Sequence, residues 1–148
     1  MYTIEEFDQT KMKVLKYVLY KKRSENEIRK KFENSIENDL LEDIIEYLKE
    51  AKYINDKDYI DKTIKNFMAL KNLSIKEIEY KLYSKGINKK DIEDYASENN
   101  EELIRYEIKS AQNIVNKKNT TMEKQEIKQY LMKKGYKVDS IEEALAEY

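Results

Sequence analysis

The chain has 148 residues, 40% hydrophobic and 40% charged, and its 29 basic and 30 acidic side chains leave a net charge of −1. It holds no cysteine, histidine or proline, and only two glycines, Gly86 and Gly135. Disulfides, thiol nucleophiles, thiolate zinc sites and the commonest general base are thereby removed, and no global field attracts nucleic acid or an anionic membrane.

Many short strands would need turn residues that this chain lacks, so an all-α fold is expected. No stretch approaches the roughly 20 apolar residues of a membrane span. The opening Met1-Tyr2-Thr3-Ile4 lacks the basic and apolar regions of a signal peptide, which makes the cytoplasm the expected location.

In chain order, the first predicted helix carries Val14, Leu15, Val18 and Leu19, an apolar stripe on the 3.6-residue period. Ser24 and Glu27 form an S-x-x-E capping box that opens a short second helix anchored by Ile28 and Phe32. Asn34 is the expected left-handed residue at its end. Leu41, Ile44, Ile45 and Leu48 anchor the third helix. Asn55 and Asp56 then supply N-cap material for a helix carrying Ile60, Ile64, Phe67 and Met68. Asp56 and Asp58 resemble a carboxylate pair for a metal, but no third ligand clusters with them, and Asp56 reads as a cap. Tyr53 and Tyr59 read as packing residues with their hydroxyls at the surface.

Ser74 and Glu77 repeat the capping box, followed by Ile78, Leu82 and a glycine stop at Gly86, with Ile87 packing back. Ile92, Tyr95 and Ala96 anchor the next helix. Ser97 to Asn100 form a junction with N-cap chemistry, and a stripe of Ile104, Ile108, Ala111 and Val115 follows. A further short helix is expected to start near Thr120 or Thr121, with Thr120 and Glu123 as its box. Ile127 and Leu131 anchor it and Gly135 ends it, with Tyr136 packing back. Ile141, Ala144 and Leu145 anchor the last helix.

The boxed or equivalent glutamates, Glu27, Glu77 and Glu126, recur at intervals of 50 and 49 residues. The segment from Leu82 through Gly86 to Ile87 parallels that from Leu131 through Gly135 to Tyr136. Self-similarity at a fixed period indicates tandem modules. The expected organisation is one domain of three three-helix repeats, at 9–55, 56–98 and 99–148.

Charge alternates with the same period. Residues 11–31 hold nine Lys or Arg against two acids, and residues 32–51 hold one Lys against seven acids. The alternation recurs at 76–90 and 91–102, and at 109–134 and 137–148. One explanation is compensation between exposed helices, each pair contributing little. The other is a basic ridge used for binding, with Arg23, Arg29, Lys30, Lys81, Lys85, Lys133 and Lys134 as candidate contacts. Arg23 and Arg29 rank first, because guanidinium pairs bidentately with carboxylate or phosphate. Lys85 and Lys134 precede helix-ending glycines, where lysine also complements a helix C-terminus. Tyrosines interleave with these stretches at Tyr17, Tyr20, Tyr80, Tyr83, Tyr130 and Tyr136, available for base stacking or for the core.

Arg23-Ser24 with Glu27-Ile28, the run from Ala51 to Tyr59, the run from Lys81 to Ile87, and the closing Leu131 to Tyr136 with Ile141 together resemble the RecX family of recombination regulators. The resemblance covers about Val14 to Leu145. Repeat 1 departs from it by lacking the glycine stop, and little chain precedes the first helix. The resemblance implies a curved, elongated array of three-helix modules lodged in the groove of the RecA–DNA filament. It also implies restraint of RecA's ATPase, strand-exchange and co-protease activities in DNA repair and the SOS response. The expected protein is a cytoplasmic monomer, not an enzyme, with RecA as partner, weak single-stranded DNA contact, no cofactor and no metal. The rival readings are a single-stranded DNA-binding repeat protein and a helical adaptor for an unrelated protein.

Overall fold

A computed structural model describes residues 1–146, so the last two residues of the expected third repeat lie outside the described residues. Among the described residues the chain forms nine α-helices and no strand, as the scarcity of turn residues leads one to expect. Two compact units result. Unit 1 holds residues 1–60 with 85–87, and unit 2 holds the described residues of 61–84 and 88–148.

Unit 1 contains α1 (Ile4–Tyr20), α2 (Glu25–Phe32), α3 (Asn38–Glu50) and the first turn of α4 (Asp56–Leu70). Val14, Val18, Ile28, Leu40, Leu41, Ile44, Ile45, Leu48 and Ile54 form its core. Leu15 packs partly buried against it, whereas Leu19, expected in the stripe, is 64% exposed. Leu19 lies in the final turn of α1, where the chain is already leaving the helix for Ser24.

The capping box of α2 is present: Ser24 Oγ accepts from Glu27 N at 3.1 Å, and Glu27 Oε1 accepts from Ser24 N at 3.4 Å. Asp56 departs from expectation. Asn55 Oδ1 caps α4 by accepting from Asp58 N at 3.2 Å, while Asp56 Oδ1 accepts from Glu25 N at 2.9 Å and so serves the start of α2.

Asn34 is not left-handed. Ser35 N and Ile36 N both donate to Phe32 O, so a right-handed turn satisfies that carbonyl and α2 needs no special residue to end. Among the described residues the left-handed non-glycine residue is Lys52 (φ 64°), which ends α3 while Tyr53 N and Ile54 N donate to Leu48 O. Ile54 is buried by this turn. Tyr59 is buried and Tyr53 exposed, so only one of that pair packs as expected. Residues 85–87 belong to unit 1: Asn26 Nδ2 donates to Lys85 O at 3.3 Å, and Gly86 (φ 84°) lies so close that a Cβ there would collide with the Asn26 side chain.

Unit 2 contains the rest of α4, then α5 (Ile75–Ser84), α6 (Lys89–Glu98), α7 (Asn100–Lys118), α8 (Lys124–Lys133) and α9 (Val138–Leu145). Ala111, Val115, Ile127, Leu131, Tyr136, Ile141, Ala144 and Leu145 form one core cluster, and Ile64, Ile78, Leu82, Ile92 and Tyr95 are buried elsewhere in the unit. Asn88 caps α6 by accepting from Lys90 N at 2.8 Å. Asn99 does not cap α7 through its side chain, which instead donates back to Tyr95 O at 2.9 Å.

The stripe expected on α7 holds at Ala111 and Val115 but is shifted by one residue in the first half of the helix. Leu103, Glu107, Ser110, Ala111 and Val115 are buried, while Ile104 and Ile108 are only half-buried. A glutamate holds a core position because both its oxygens are hydrogen-bonded: Glu107 Oε2 accepts from Ile75 N at 2.7 Å and Oε1 from Lys137 N at 3.0 Å. Both amides belong to helix starts, Ile75 opening α5 and Lys137 capping α9, so the carboxylate satisfies donors that no helical carbonyl can reach. Nearby, Tyr136 and Ser110 share a hydroxyl hydrogen bond of 2.8 Å, and the Tyr106 hydroxyl accepts from Leu73 N and donates to Lys71 O.

At α5 the expected box forms, with Ser74 Oγ accepting from Glu77 N and Glu77 Oε1 accepting from Ser74 N, both at 3.1 Å. The Ser74 hydroxyl also donates to Lys134 O at 2.7 Å. Gly135 (φ 90°) ends α8, and Tyr136 N donates to Leu131 O at 3.1 Å, the expected glycine stop. The start of α8 differs from expectation. Thr121 N and Met122 N both donate to Lys118 O, which commits the threonines to the exit of α7. Helix α8 therefore begins at Lys124, with Glu123 as its cap residue and Glu126 Oε1 accepting from Glu123 N at 3.2 Å.

Gly135→Val should destabilise the protein by roughly 1 kcal/mol or more in urea unfolding, since a β-branched residue resists positive φ. An added Cβ would also lie 3.0 Å from Lys76 Cβ. Glu107→Leu should cost more than Glu107→Gln, because leucine leaves two amides unsatisfied at about 1–3 kcal/mol each, whereas glutamine keeps one acceptor oxygen. Equal unfolding midpoints for the two Glu107 variants would contradict the capping role.

Candidate interaction surface

The structure divides the seven basic candidates between the two units. Arg23, Arg29, Lys30 and Lys85 lie in unit 1, and Lys81, Lys133 and Lys134 lie in unit 2.

The two arginines are already engaged. The Arg23 guanidinium lies 3.8 Å from the centre of the Tyr17 ring, its Nε donates to Tyr17 O at 3.4 Å, and Glu27 stands 3.9 Å away. Arg29 Nε donates to Glu25 Oε2 at 3.0 Å, and both terminal nitrogens meet the Glu42 carboxylate, one of them at 3.1 Å. Lys49 pairs with Glu25 from the other side. Hydrogen bonding to Glu42 and Glu25 outweighs burial and raises the Arg29 pKa. Burial pushes the Glu25 carboxyl up, but Lys49 and Arg29 together hold it below its ordinary value, and Arg29 does the same to Glu42. Lys30 and Lys85 are exposed.

In unit 2, Lys81, Lys133 and Lys134 come together on one open groove of about 580 Å³. From α5 it takes Lys76, Glu77, Tyr80 and Lys81, positions spaced i, i+1, i+4 and i+5 on one helix face. Met132, Lys133, Lys134 and Gly135 complete it from the end of α8. The bond from Ser74 to Lys134 O fixes the end of α8 beside the start of α5, and the missing Cβ of Gly135 allows that approach. None of Lys76, Lys81, Lys133 and Lys134 has a carboxylate at ion-pair distance among the described residues. Lys81 and Lys134 have only distant aromatic neighbours, 6.0 Å from the Phe67 ring centre and 5.7 Å from that of Tyr130. Glu77, the one acid in the lining, is tied to Ser74 N.

Sequence reasoning missed Lys76 and Met132. The i, i+4 spacing of Lys76 and Tyr80 was a readable signal for the first, while Met132 is brought to the groove only by tertiary packing. Of the interleaved tyrosines, Tyr136 is buried, and Tyr17 and Tyr130 lie under cations. Tyr20, Tyr80 and Tyr83 are exposed. Among the described residues no group of three or more Asp or Glu is placed to hold a metal ion. No helix among them is long and apolar enough to cross a membrane.

No protein-family model matches the chain. A protein named regulatory protein RecX from Staphylococcus epidermidis is 32% identical, over 99% of this chain and 58% of its own length. One of the same name from Clostridioides difficile is 27% identical, over 95% of this chain and 68% of its own. The crystal structure of RecX from Lactobacillus salivarius superposes with a TM-score of 0.82 at 24% identity, covering 98% of this chain and 97% of that one. This chain therefore spans somewhat more than half of the staphylococcal relative's length while sharing its helical fold with a solved RecX. The chain belongs to the RecX family of regulatory proteins.

Proposed function

We propose that this chain is a non-enzymatic regulator of homologous recombination that binds RecA on its DNA filament and inhibits ATP hydrolysis, strand exchange and co-protease action. It acts as a cytoplasmic monomer. Its helices are read as three copies of a three-helix module, at 9–55, 56–98 and 99–148. Two correspondences support the modular reading. A carboxylate accepts from the first amide of α2 and of α5, Asp56 at Glu25 N and Glu107 at Ile75 N. A left-handed glycine follows α5 and α8.

The observation that carries the functional reading is the lysine groove. Four ammonium groups without an ion pair among the described residues form a positive surface that a partner's acidic groups can neutralise. Arg23 and Arg29 remain candidates alongside Lys30 and Lys85, but their guanidinium groups would have to exchange internal partners for external ones. The groove lysines face no such exchange.

RecA ATPase on single-stranded DNA, measured with substoichiometric amounts of this protein, tests the reading directly. Inhibition is expected. Replacing Lys81, Lys133 and Lys134 together with glutamine should weaken it at least about tenfold, or 1.4 kcal/mol, with the thermal midpoint unchanged. Arg29→Gln should instead lower the thermal midpoint, because Glu25 and Glu42 lose their shared partner. Full inhibition by a well-folded triple variant would remove the groove from the mechanism.

The exposed Tyr80 beside these lysines favours one second reading, single-stranded DNA binding by phosphate contact and base stacking. Binding of that kind collapses as salt rises. Weak DNA binding at physiological salt, with inhibition retained, separates the protein partner from it.

A further inference from the structure

Tyr80 borders a second concavity. Between α5 and α6 lies a slot of about 320 Å³, lined by Glu79, Tyr80 and Tyr83 from α5 and by Lys89, Ile92 and Glu93 from α6. Its chemistry is the reverse of the groove's. Tyr80 and Tyr83 are 71% and 62% exposed, one helical turn apart on α5, and both line the slot, so each is accessible to an incoming group. Glu79 is half-buried, and its carboxylate has no hydrogen bond or ion pair among the described residues. Burial pushes that carboxyl above its ordinary value, the charge of Lys137 opposing it most, with Glu93 and Glu107 acting in the same direction as burial and Lys76 against it. Glu93 pairs with Lys89 at 3.9 Å, and both side chains are largely exposed, so that pair is easily displaced.

We propose that this slot receives an arginine side chain of a protein partner. A guanidinium is planar, stacks on an aromatic face and donates through a rigid fork to carboxylates. Two exposed tyrosine rings beside a carboxylate without an ion pair match those requirements together. A lysine ammonium, a compact and strongly hydrated charge, would use the carboxylate but gain less from the rings. A nucleic acid strand has no cation to place here. Because Tyr80 lines both the slot and the lysine groove, the matching partner segment carries an arginine close to an acidic residue, each meeting the opposite charge. Any protein partner with that pairing would serve, whether or not it is RecA.

The test titrates acetyl-arginine amide into the full chain carrying ¹³C-labelled tyrosine rings, with acetyl-citrulline amide as the uncharged isostere. The arginine probe should produce saturable shifts of the Tyr80 and Tyr83 ring signals, and citrulline should bind at least about tenfold more weakly. Glu79→Gln should weaken the arginine response by a similar factor while the amide spectrum elsewhere stays unchanged. Should that variant fold poorly, the second arm decides: Tyr83→Leu should lose the response and Tyr83→Phe should keep it, since the ring face rather than the hydroxyl is used. Equal shifts from both probes, no saturable response, or the same ring shifts produced by oligothymidylate instead of arginine would each overturn the proposal.

Discussion

A single buried carboxylate organises the larger unit. Glu107 is 0% exposed, and an ionised group in that position is costly unless its oxygens are hydrogen-bonded. Each oxygen accepts a backbone amide, one at the start of α5 and one at the start of α9. Helix N-termini carry unpaired donors and partial positive charge, so one carboxylate met by two of them is well matched electrostatically. This links α5, α7 and α9 at one point. The Ser74 to Lys134 and Ser110 to Tyr136 bonds involve residues within about one helical turn of Ile75, Glu107 or Lys137 in sequence. The groove borders this region, so its lysines are displayed by helices whose ends are fixed.

Unit 1 uses the same device with different residues. Asp56, in the first turn of α4, accepts from the opening amide of α2, and Asn26 holds the carbonyl of Lys85 beside Gly86. Glycine serves two purposes at 86 and 135. It relieves the cost of positive φ, and it leaves room where a Cβ would collide with the Asn26 side chain at 86 or lie 3.0 Å from Lys76 Cβ at 135. The first of the short helices, α2, ends without a glycine, because its last carbonyl is satisfied in a right-handed turn.

Surface charge follows a second division. In unit 1 the arginines of α2 and its approach are balanced: Arg29 by Glu25 and Glu42, and Arg23 by Tyr17 and Glu27. In unit 2 the groove lysines of α5 and α8 stand without ion pairs among the described residues, and an acidic, aromatic slot shares Tyr80 with them. Compensation thus describes the arginines of unit 1, while the groove lysines of unit 2 are what the proposed binding role rests on. A surface that offers both signs beside exposed aromatic rings suits a protein partner better than a polyanion.

The helical class, the capping boxes at Ser24 and Ser74, and the left-handed glycines 86 and 135 were legible in the sequence, because each depends on residues within about one helical turn of one another. The start of α8, the end of α2 and the role of Asp56 were not. The first two turn on which of several local hydrogen bonds forms, at the carbonyls of Lys118 and Phe32, and the role of Asp56 on a distant amide, that of Glu25. For the same reason, Glu107 reads as a surface acid in a helical stripe until two helix starts converge on it. The candidate lysines were visible as a charge bias, yet their freedom from ion pairs, and the engagement of Arg23 and Arg29, depend on residues up to 13 positions away in sequence. Sequence by itself determined the local hydrogen bonds that start α2 and α5 and stop α8. Only tertiary structure decided which charges are paired inside the molecule and which are not, since that depends on distances across helices that no local pattern encodes.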